Sequence, residues 1–137
     1  MFDQQVLHDY WEQWRLAGGN RQERLAAEGG GDRSHYQVSD AVEAGDATVI
    51  ELLVALAETA PSDADAGLIG AGPLEELLSV HASRLATVEG AALLDAIDAG
   101  ARTSRRFRLA LRSAFMGDEV PTAVKERLRR FLEPPRS

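Results

Sequence analysis

Apolar residues recur at helical spacing along almost the whole chain, and no strand-like alternation of apolar and polar residues competes with this pattern. The first predicted helix covers residues 3–17 and ends at Gly18-Gly19. Its apolar stripe consists of Phe2, Val6, Tyr10 and Trp14, widened by Leu7 and Trp11. Both tryptophans of the chain lie in this helix. The pattern therefore predicts that the helix anchors the core, and an exposed binding face is the alternative.

The segment after the first helix is rich in arginine and glutamate and contains the run Gly29-Gly30-Gly31. This composition predicts a mobile loop around residues 18–34, with a short helix at 21–28. A weak helix at about 36–43 follows and stops at Gly45.

A strong helix is predicted next, from a cap at Asp46 to Ala60, where Pro61 closes it. Its apolar face consists of Val49, Leu52, Leu53 and Leu56. Ser62 and Asp65 then have the spacing of a capping box, which starts a short helix ending at about residue 69.

A glycine–proline turn is predicted in the middle of the chain, at Gly70-Ala71-Gly72-Pro73. Pro73 is expected in the first turn of the next helix, because its missing N–H would be unsatisfied there in any case. That helix runs to about residue 87. Its apolar side consists of Leu74, Leu77, Leu78, His81 and Leu85.

Three more amphipathic helices are predicted at about 89–100, 103–116 and 121–132. Their stripes are Leu93, Leu94 and Ile97; then Phe107, Leu111, Ala114 and Phe115; then Val124, Leu128, Phe131 and Leu132. Residues 133–137 are expected to fray. Short helices joined by tight turns predict a single all-α domain over 1–137. Its architecture is either a compact multi-helix bundle or a HEAT-like stack of helical hairpins, although no repeat of fixed period is visible.

Composition excludes several classes of site. The chain has 137 residues, of which 45% are hydrophobic, enough for one core. It contains no cysteine, which excludes disulfides, thiolate nucleophiles and cysteine-based zinc sites and fits a reducing compartment. The start of the chain lacks the features of a signal peptide, and the longest apolar stretch, 49–57, is too short to span a bilayer. We therefore expect a cytoplasmic protein without membrane association.

The charge is distributed unevenly. Residues 1–100 contain 18 acidic residues and 5 arginines, a net charge of −13, whereas residues 101–137 contain 4 acidic and 10 basic residues, a net charge of +6. Arg105, Arg108 and Arg112 share one helical face and form a candidate DNA-recognition helix. The acidic remainder would repel a phosphate backbone. We therefore favour packing of this basic face against acidic helices of the same domain over nucleic-acid binding.

Three polar residues near the glycine–proline turn are candidate binding residues, because Glu75, Glu76 and His81 are hypothesised to line one groove beside it. A small enzyme or ligand-binding domain would use this groove. A buried, hydrogen-bonded histidine is the simpler explanation of His81, in a network of Arg84 with Glu75 or Glu76. The two glutamates disfavour anion binding at this helix start.

No catalytic residue, metal site or cofactor is predicted. His8 and Glu12 lie four residues apart on one helix face, but two ligands do not complete a metal site. The acidic pairs Asp63/Asp65 and Glu75/Glu76 suit helix starts, and Asp95/Asp98 suits a solvated helix face.

Three stretches resemble one uncharacterised bacterial family. They are 57–61 together with the Gly-Pro-Leu-Glu-x-Leu-Leu box at 72–78 and His81; the Phe-Arg-x-x-Leu segment at 107–111; and, more loosely, 10–14. On these residues the chain resembles the domain of unknown function numbered 6869, over about residues 40–130. The resemblance implies an all-helical bacterial domain and assigns neither an activity nor catalytic residues.

The favoured function is a non-catalytic protein-interaction module of the immunity or accessory type. Its acidic surface would mask a basic partner and speed its capture. Trp11 and Trp14 are candidate binding residues, and a homodimer is a further possibility.

Overall fold

The computed structural model describes residues 4–17 and 33–132, and every regular element in these residues is helical. The elements are α1 (Gln4–Ala17), α2 (Arg33–Ala44), α3 (Thr48–Glu58), α4 (Asp63–Ile69), a π-helical turn (Gly70–Leu74), α5 (Glu75–Val80), α6 (Ala82–Leu85), α7 (Ala91–Thr103), α8 (Arg105–Ser113) and α9 (Thr122–Leu132). The predicted all-α class is confirmed. The helix expected at 21–28 and the frayed end at 133–137 lie outside the described residues. Positions 33 and 34, at the end of the expected loop, belong to α2.

Helix α8 lies at the centre of the fold. It packs against α3, α4, the π-helical turn, α7 and α9. Its inner residues Phe107, Ala110 and Leu111 are fully buried. In a solenoid each repeat contacts only its neighbours along the chain. Because α8 contacts elements far away in the sequence, the architecture is a helical bundle and not a HEAT-like stack.

The predicted break at the glycine–proline run is wrong, because helical backbone continues from α4 through the π-helical turn into α5. Pro73 has no N–H with which to close a normal helical turn. The chain continues with a wider turn, in which the Glu75 N–H donates to the Gly70 oxygen five residues earlier. Gly70 is required for packing, since a Cβ there would overlap the main-chain oxygen of Ala110 in α8.

The helix predicted from 73 to 87 is interrupted at His81, whose backbone leaves the helical region between α5 and α6. The cap predicted at Ser62 is confirmed, because the Ser62 hydroxyl accepts from the Asp65 N–H at 3.1 Å. The side-chain cap predicted at Asp46 is wrong. The N-cap position of α3 is Ala47, and Asp46 contributes only its main-chain oxygen, to the Val49 N–H at 2.9 Å.

Most described positions of the predicted apolar stripes are buried, Val6 and Leu132 are half-buried, and Trp14 and Phe115 are exposed. Phe115 is 73% exposed, because α8 ends at Ser113 and the extended backbone at Ala114 takes Phe115 off the buried face of the helix. In α1 the buried face is Leu7, Tyr10 and Trp11, whereas Trp14 is 40% exposed. Within the described residues, no helix combines the length and the apolar character that crossing a membrane requires.

Candidate functional site: the groove along α1

A groove of about 600 Å³ runs between α1 and the connection from α3 to α4. We call it the α1 groove. Leu7, Trp11 and Trp14 contribute its apolar surface from the helix, and Thr59 and Pro61 line the opposite side. Pro61 is exposed because the chain turns there from α3 into α4. The groove therefore exists because a helix rich in aromatic residues packs beside a tight interhelical turn.

Trp11 fixes the floor of this groove. Its ring is buried, and its Nε1–H donates to the main-chain oxygen of Leu56 at 3.0 Å. That oxygen belongs to the last turn of α3, where carbonyl groups lack helical partners. The bond therefore holds α1 against α3 and satisfies the indole N–H, as a buried tryptophan requires.

Trp14 stands between the α1 groove and a smaller pocket of about 190 Å³. Leu68, Ala71 and Pro73 line that smaller pocket together with Tyr10. Leu68 is 41% exposed, so a second apolar side chain is available to solvent close to the tryptophan. A partly exposed tryptophan with concave apolar surface on both sides is typical of an interaction site.

Charged side chains that line the groove have partners within it or beside it. Arg15 and Glu12 form an ion pair at 2.7 Å, and this hydrogen bond lowers the pKa of Glu12. The Asp65 carboxylate accepts from the Ser62 hydroxyl at 3.0 Å, and His8 Nδ1 lies 3.4 Å from an Asp9 oxygen. No cluster of three or more histidine and carboxylate side chains suited to a metal ion occurs in the described part of the chain. The groove is lined mainly by apolar surface, and its charged groups are partnered.

The groove hypothesised for Glu75, Glu76 and His81 is not formed. His81 is buried, its Nε2 lies 2.7 Å from the Val42 oxygen, and its Nδ1 accepts from Arg84 Nε at 3.2 Å. Since a carbonyl only accepts and a guanidinium only donates, these contacts assign the donor role to Nε2 and the acceptor role to Nδ1. His81 is thus a core histidine partnered with Arg84, as the simpler explanation held, but the network includes neither glutamate.

Glu75 and Glu76 lie instead beside Phe115, in a shallow pocket with Gly72 and Glu119. One Glu75 oxygen accepts from the Phe115 N–H at 2.7 Å, which holds the exposed phenylalanine at the edge of this pocket. The sequence pattern missed this arrangement because it assigned Phe115 to the core.

The predicted basic face of α8 makes contacts within the fold. Arg105 pairs with Asp63 at 3.0 Å, Arg108 donates to the Ala101 oxygen at 2.8 Å, and Arg112 donates to the Phe131 oxygen at 2.9 Å. Ala101 and Phe131 lie in the last turns of α7 and α9, where main-chain oxygens need donors. Arg105 therefore meets an acidic residue, as the charge distribution along the chain predicted, whereas Arg108 and Arg112 join helix ends through main-chain oxygens.

Asp98 holds helices together from a buried position. The prediction that it lies on a solvated helix face is wrong. Asp98 is 5% exposed and receives hydrogen bonds from Arg102, Arg127 and Arg130. Asp95 is exposed and pairs with Arg127 at 2.7 Å. The arginines of α9 are the sequence feature that could have indicated a buried carboxylate, since such a carboxylate needs cationic partners.

No family model, curated protein or solved structure matches this chain. The resemblance to the domain of unknown function numbered 6869 therefore stays a prediction.

Proposed function

We propose that this chain is a non-catalytic protein-interaction module of the immunity or accessory type. Its α1 groove takes up an apolar side chain from a partner segment that also carries lysine or arginine. The observation that supports this proposal is the position of Trp14, 40% exposed between two concave apolar surfaces.

The apolar surface of the groove indicates that the partner inserts apolar side chains. Its apolar surface is formed by Leu7, Trp11, Trp14 and Pro61. Amphipathic helices that bind in grooves insert apolar side chains spaced three or four residues apart. Trp14 separates two such recesses, so one side chain fits the α1 groove and a second fits the pocket beside Leu68. Tryptophan is also enriched among the residues that dominate binding energy at interfaces.

The acidic charge of this chain indicates that the partner segment is basic. Residues 1–100 have a net charge of −13, and all of the groove lies within them. Glu12 and Asp65 line the groove, and since Glu12 is paired with Arg15, the attraction for a basic partner comes mainly from the net charge of the whole segment. Opposite charge steers a partner toward the surface and disfavours acidic competitors.

A ligand-binding domain is the second candidate function, because a volume of about 600 Å³ falls within the range of small-molecule sites. Such sites place a few polar groups where they converge on the ligand. In the α1 groove, Glu12 pairs with Arg15 and Asp65 pairs with Ser62. Because these groups already have partners, we favour a protein segment that binds mainly through apolar contact.

The test is selection of a displayed random-peptide library on the wild-type chain, compared with the Trp14→Ala variant. We expect the enriched peptides to share a large apolar residue flanked by lysine or arginine, and to bind the variant at least about tenfold more weakly. Val88→Ala is the matched control, since Val88 is 93% exposed and lies outside the groove.

Enrichment that is equal on wild type and Trp14→Ala, or enrichment of acidic peptides, would contradict the proposal. Failure to enrich any peptide, combined with saturable binding of a small molecule that Trp14→Ala removes, would support the second candidate instead.

A further inference from the structure

We infer that the partner segment proposed for the α1 groove extends across the π-helical turn and places a lysine or arginine side chain in the pocket beside Phe115. We call this the Phe115 pocket, and its volume is about 300 Å³. The inference rests on the proposed function and deepens it, because it states where the basic part of the partner binds.

The charged side chains that line the Phe115 pocket are all acidic. They are Glu75, Glu76 and Glu119. One Glu75 oxygen accepts the Phe115 N–H, whereas neither Glu76 nor Glu119 forms an ion pair within the described residues. Both of these glutamates are exposed. Three carboxylates around one recess, with no cation among its lining residues, attract a positively charged group.

Apolar surface in the same pocket indicates which kind of cation fits. Phe115 is 73% exposed and Val80 is 52% exposed. Lysine and arginine side chains combine an apolar stem with a charged head, and the face of an aromatic ring attracts that head. A metal ion has no apolar stem to place on these two side chains. The pocket therefore suits a basic side chain of a protein, with its stem on Phe115 and Val80 and its head at the carboxylates.

The Phe115 pocket adjoins the surface already proposed to bind the partner. Gly72 lines both the Phe115 pocket and the pocket beside Leu68, and Trp14 lines both the pocket beside Leu68 and the α1 groove. Gly72 is exposed, and apart from its chain neighbours a Cβ there would meet nothing within 4 Å. The three recesses therefore follow one another across the π-helical turn, and Gly72 places no side chain between the last two.

The α1 groove itself offers a basic residue little local attraction, because Glu12 pairs with Arg15 and Asp65 accepts from the Ser62 hydroxyl. The carboxylates of the Phe115 pocket have no cationic partner in the described part of the chain, so a basic residue of the partner is attracted more strongly there. One segment with apolar residues for the first two recesses and lysine or arginine for the third complements the whole surface.

Selection of a displayed random-peptide library on three forms of the chain tests this inference. On wild type we expect lysine or arginine at a constant spacing from the apolar residues. The double variant Glu76→Gln/Glu119→Gln should still enrich the apolar residues but lose the basic residue at that spacing. The matched control is Asp40→Asn/Glu43→Gln, which removes two exposed carboxylates outside the four pockets and should enrich the same peptides as wild type.

Binding of one synthetic peptide enriched on wild type gives the magnitudes. The Glu76→Gln/Glu119→Gln variant and Phe115→Ser should each bind it at least about fivefold more weakly. Val88→Ser is the control for Phe115→Ser, since Val88 is 93% exposed and lines none of the pockets. Circular dichroism checks that each variant is folded.

A side chain added at Gly72 tests the continuity of the surface. Gly72→Gln places a polar side chain between the pocket beside Leu68 and the Phe115 pocket, and should weaken binding of the same peptide at least about fivefold. Ala64→Gln is its control, because Ala64 is exposed on α4 and lines neither pocket. Equal binding to the two glutamine variants would overturn the inference.

The remaining outcomes separate this inference from the proposed function. Enrichment of basic residues that is unchanged on Glu76→Gln/Glu119→Gln, or that is lost equally on the Asp40→Asn/Glu43→Gln control, would overturn the inference and leave the proposed function standing. Peptides that need the two glutamates but bind Trp14→Ala as well as wild type would contradict the proposed function, and with it the continuous surface. A library that enriches no peptide would contradict both.

Discussion

His81 connects two parts of the chain that are far apart in sequence. Its Nε2–H donates to Val42 near the end of α2, while Arg84, which donates to its Nδ1, also donates to the Gly45 oxygen at 2.7 Å. Gly45 ends α2 with φ of 69°, the left-handed region that favours glycine, and a Cβ there would overlap the His81 ring. One imidazole and one guanidinium thus satisfy carbonyl groups at the end of α2.

Replacing His81 by alanine should lower the free energy of unfolding by about 2 kcal/mol, because the change leaves a buried carbonyl and a guanidinium N–H without partners. Urea unfolding followed by circular dichroism measures this change in the free energy of unfolding. His8→Ala is the matched control, since the His8 side chain is 72% exposed, and its change should stay within about 0.5 kcal/mol. Similar stabilities of the two variants would show that the His81 contacts do not stabilise the fold.

Sequence periodicity predicts which face of a helix is buried better than it predicts the residues at the edge of that face. Trp11 and Trp14 belong to one apolar stripe, yet the first is buried and the second is 40% exposed. Phe115 fits the stripe of α8 by spacing, but the helix ends before it. Asp98 is polar and nevertheless buried, because its cationic partners come from α7 and from the distant α9. These contacts are tertiary, and no local pattern encodes them.

At the scale of elements, the segment from α4 through the π-helical turn to α5 shows how glycine and proline can serve packing. The sequence predicted a break there, since both residues disfavour a regular helix. The bundle instead needs α8 close to Gly70, where any side chain would overlap the backbone of Ala110. The wider turn accommodates Pro73 without ending the helix. Glycine and proline mark this segment in the sequence, but the need for Gly70 depends on Ala110, a neighbour 40 positions later in the chain.

A pair of glycine variants tests this explanation. Gly70→Ala should lower the free energy of unfolding by about 3 kcal/mol, because relief of the overlap requires movement of the α8 backbone. Gly72→Ala lies in the same turn, and apart from its chain neighbours a Cβ there meets nothing within 4 Å. It should change stability by less than about 1 kcal/mol, because the better helix propensity of alanine is opposed by crowding of its Cβ against the ring of Pro73. Urea unfolding curves give the free energy of unfolding of both variants. Equal changes in this free energy would contradict a role for Gly70 in close packing.

Asp98 joins α7 to α9. Burial raises the pKa of its carboxyl, but hydrogen bonds from Arg102 and Arg127 and the charge of Arg130 outweigh burial, so the pKa lies below its usual value. A carboxyl with a lowered pKa in the folded state stabilises the fold above its unfolded-state pKa, and this contribution is lost as the pH falls through the folded-state value.

Replacing Asp98 by asparagine should therefore lower the free energy of unfolding by about 2 kcal/mol at neutral pH. This is less than for a fully buried ion pair, because the arginine side chains are 39–58% exposed. The difference from wild type should shrink as the pH falls below about 4. Asp95→Asn is the control: that carboxylate is 66% exposed, and its loss should change stability by less than about 1 kcal/mol. A difference between Asp98→Asn and wild type that stays constant down to about pH 2 would contradict an ionic role.

At the scale of the whole molecule, opposite charges of the two parts of the chain meet inside one bundle. The acidic part contributes Asp63, Asp95 and Asp98, and the basic part contributes their arginine partners in α7, α8 and α9. Helix α1 joins the same core through Trp11, whose indole binds α3, and through its packing on α2. These contacts predict that α1 and the basic helices belong to one cooperative unit, as the expected single domain over 1–137 requires.

Unfolding of the Trp14→Phe variant tests this cooperativity. The variant leaves Trp11 as its single tryptophan, so fluorescence reports the contact between α1 and α3, while circular dichroism reports all helices. We expect the two urea transitions to coincide, with one midpoint and one slope. Trp11→Phe is the companion variant: its remaining Trp14 is 40% exposed and should be quenched by iodide in the folded state more strongly than Trp11. If the fluorescence of Trp14→Phe changes at lower urea than the circular dichroism, α1 detaches first, and the α1 groove then depends on a helix less stable than the bundle it packs against.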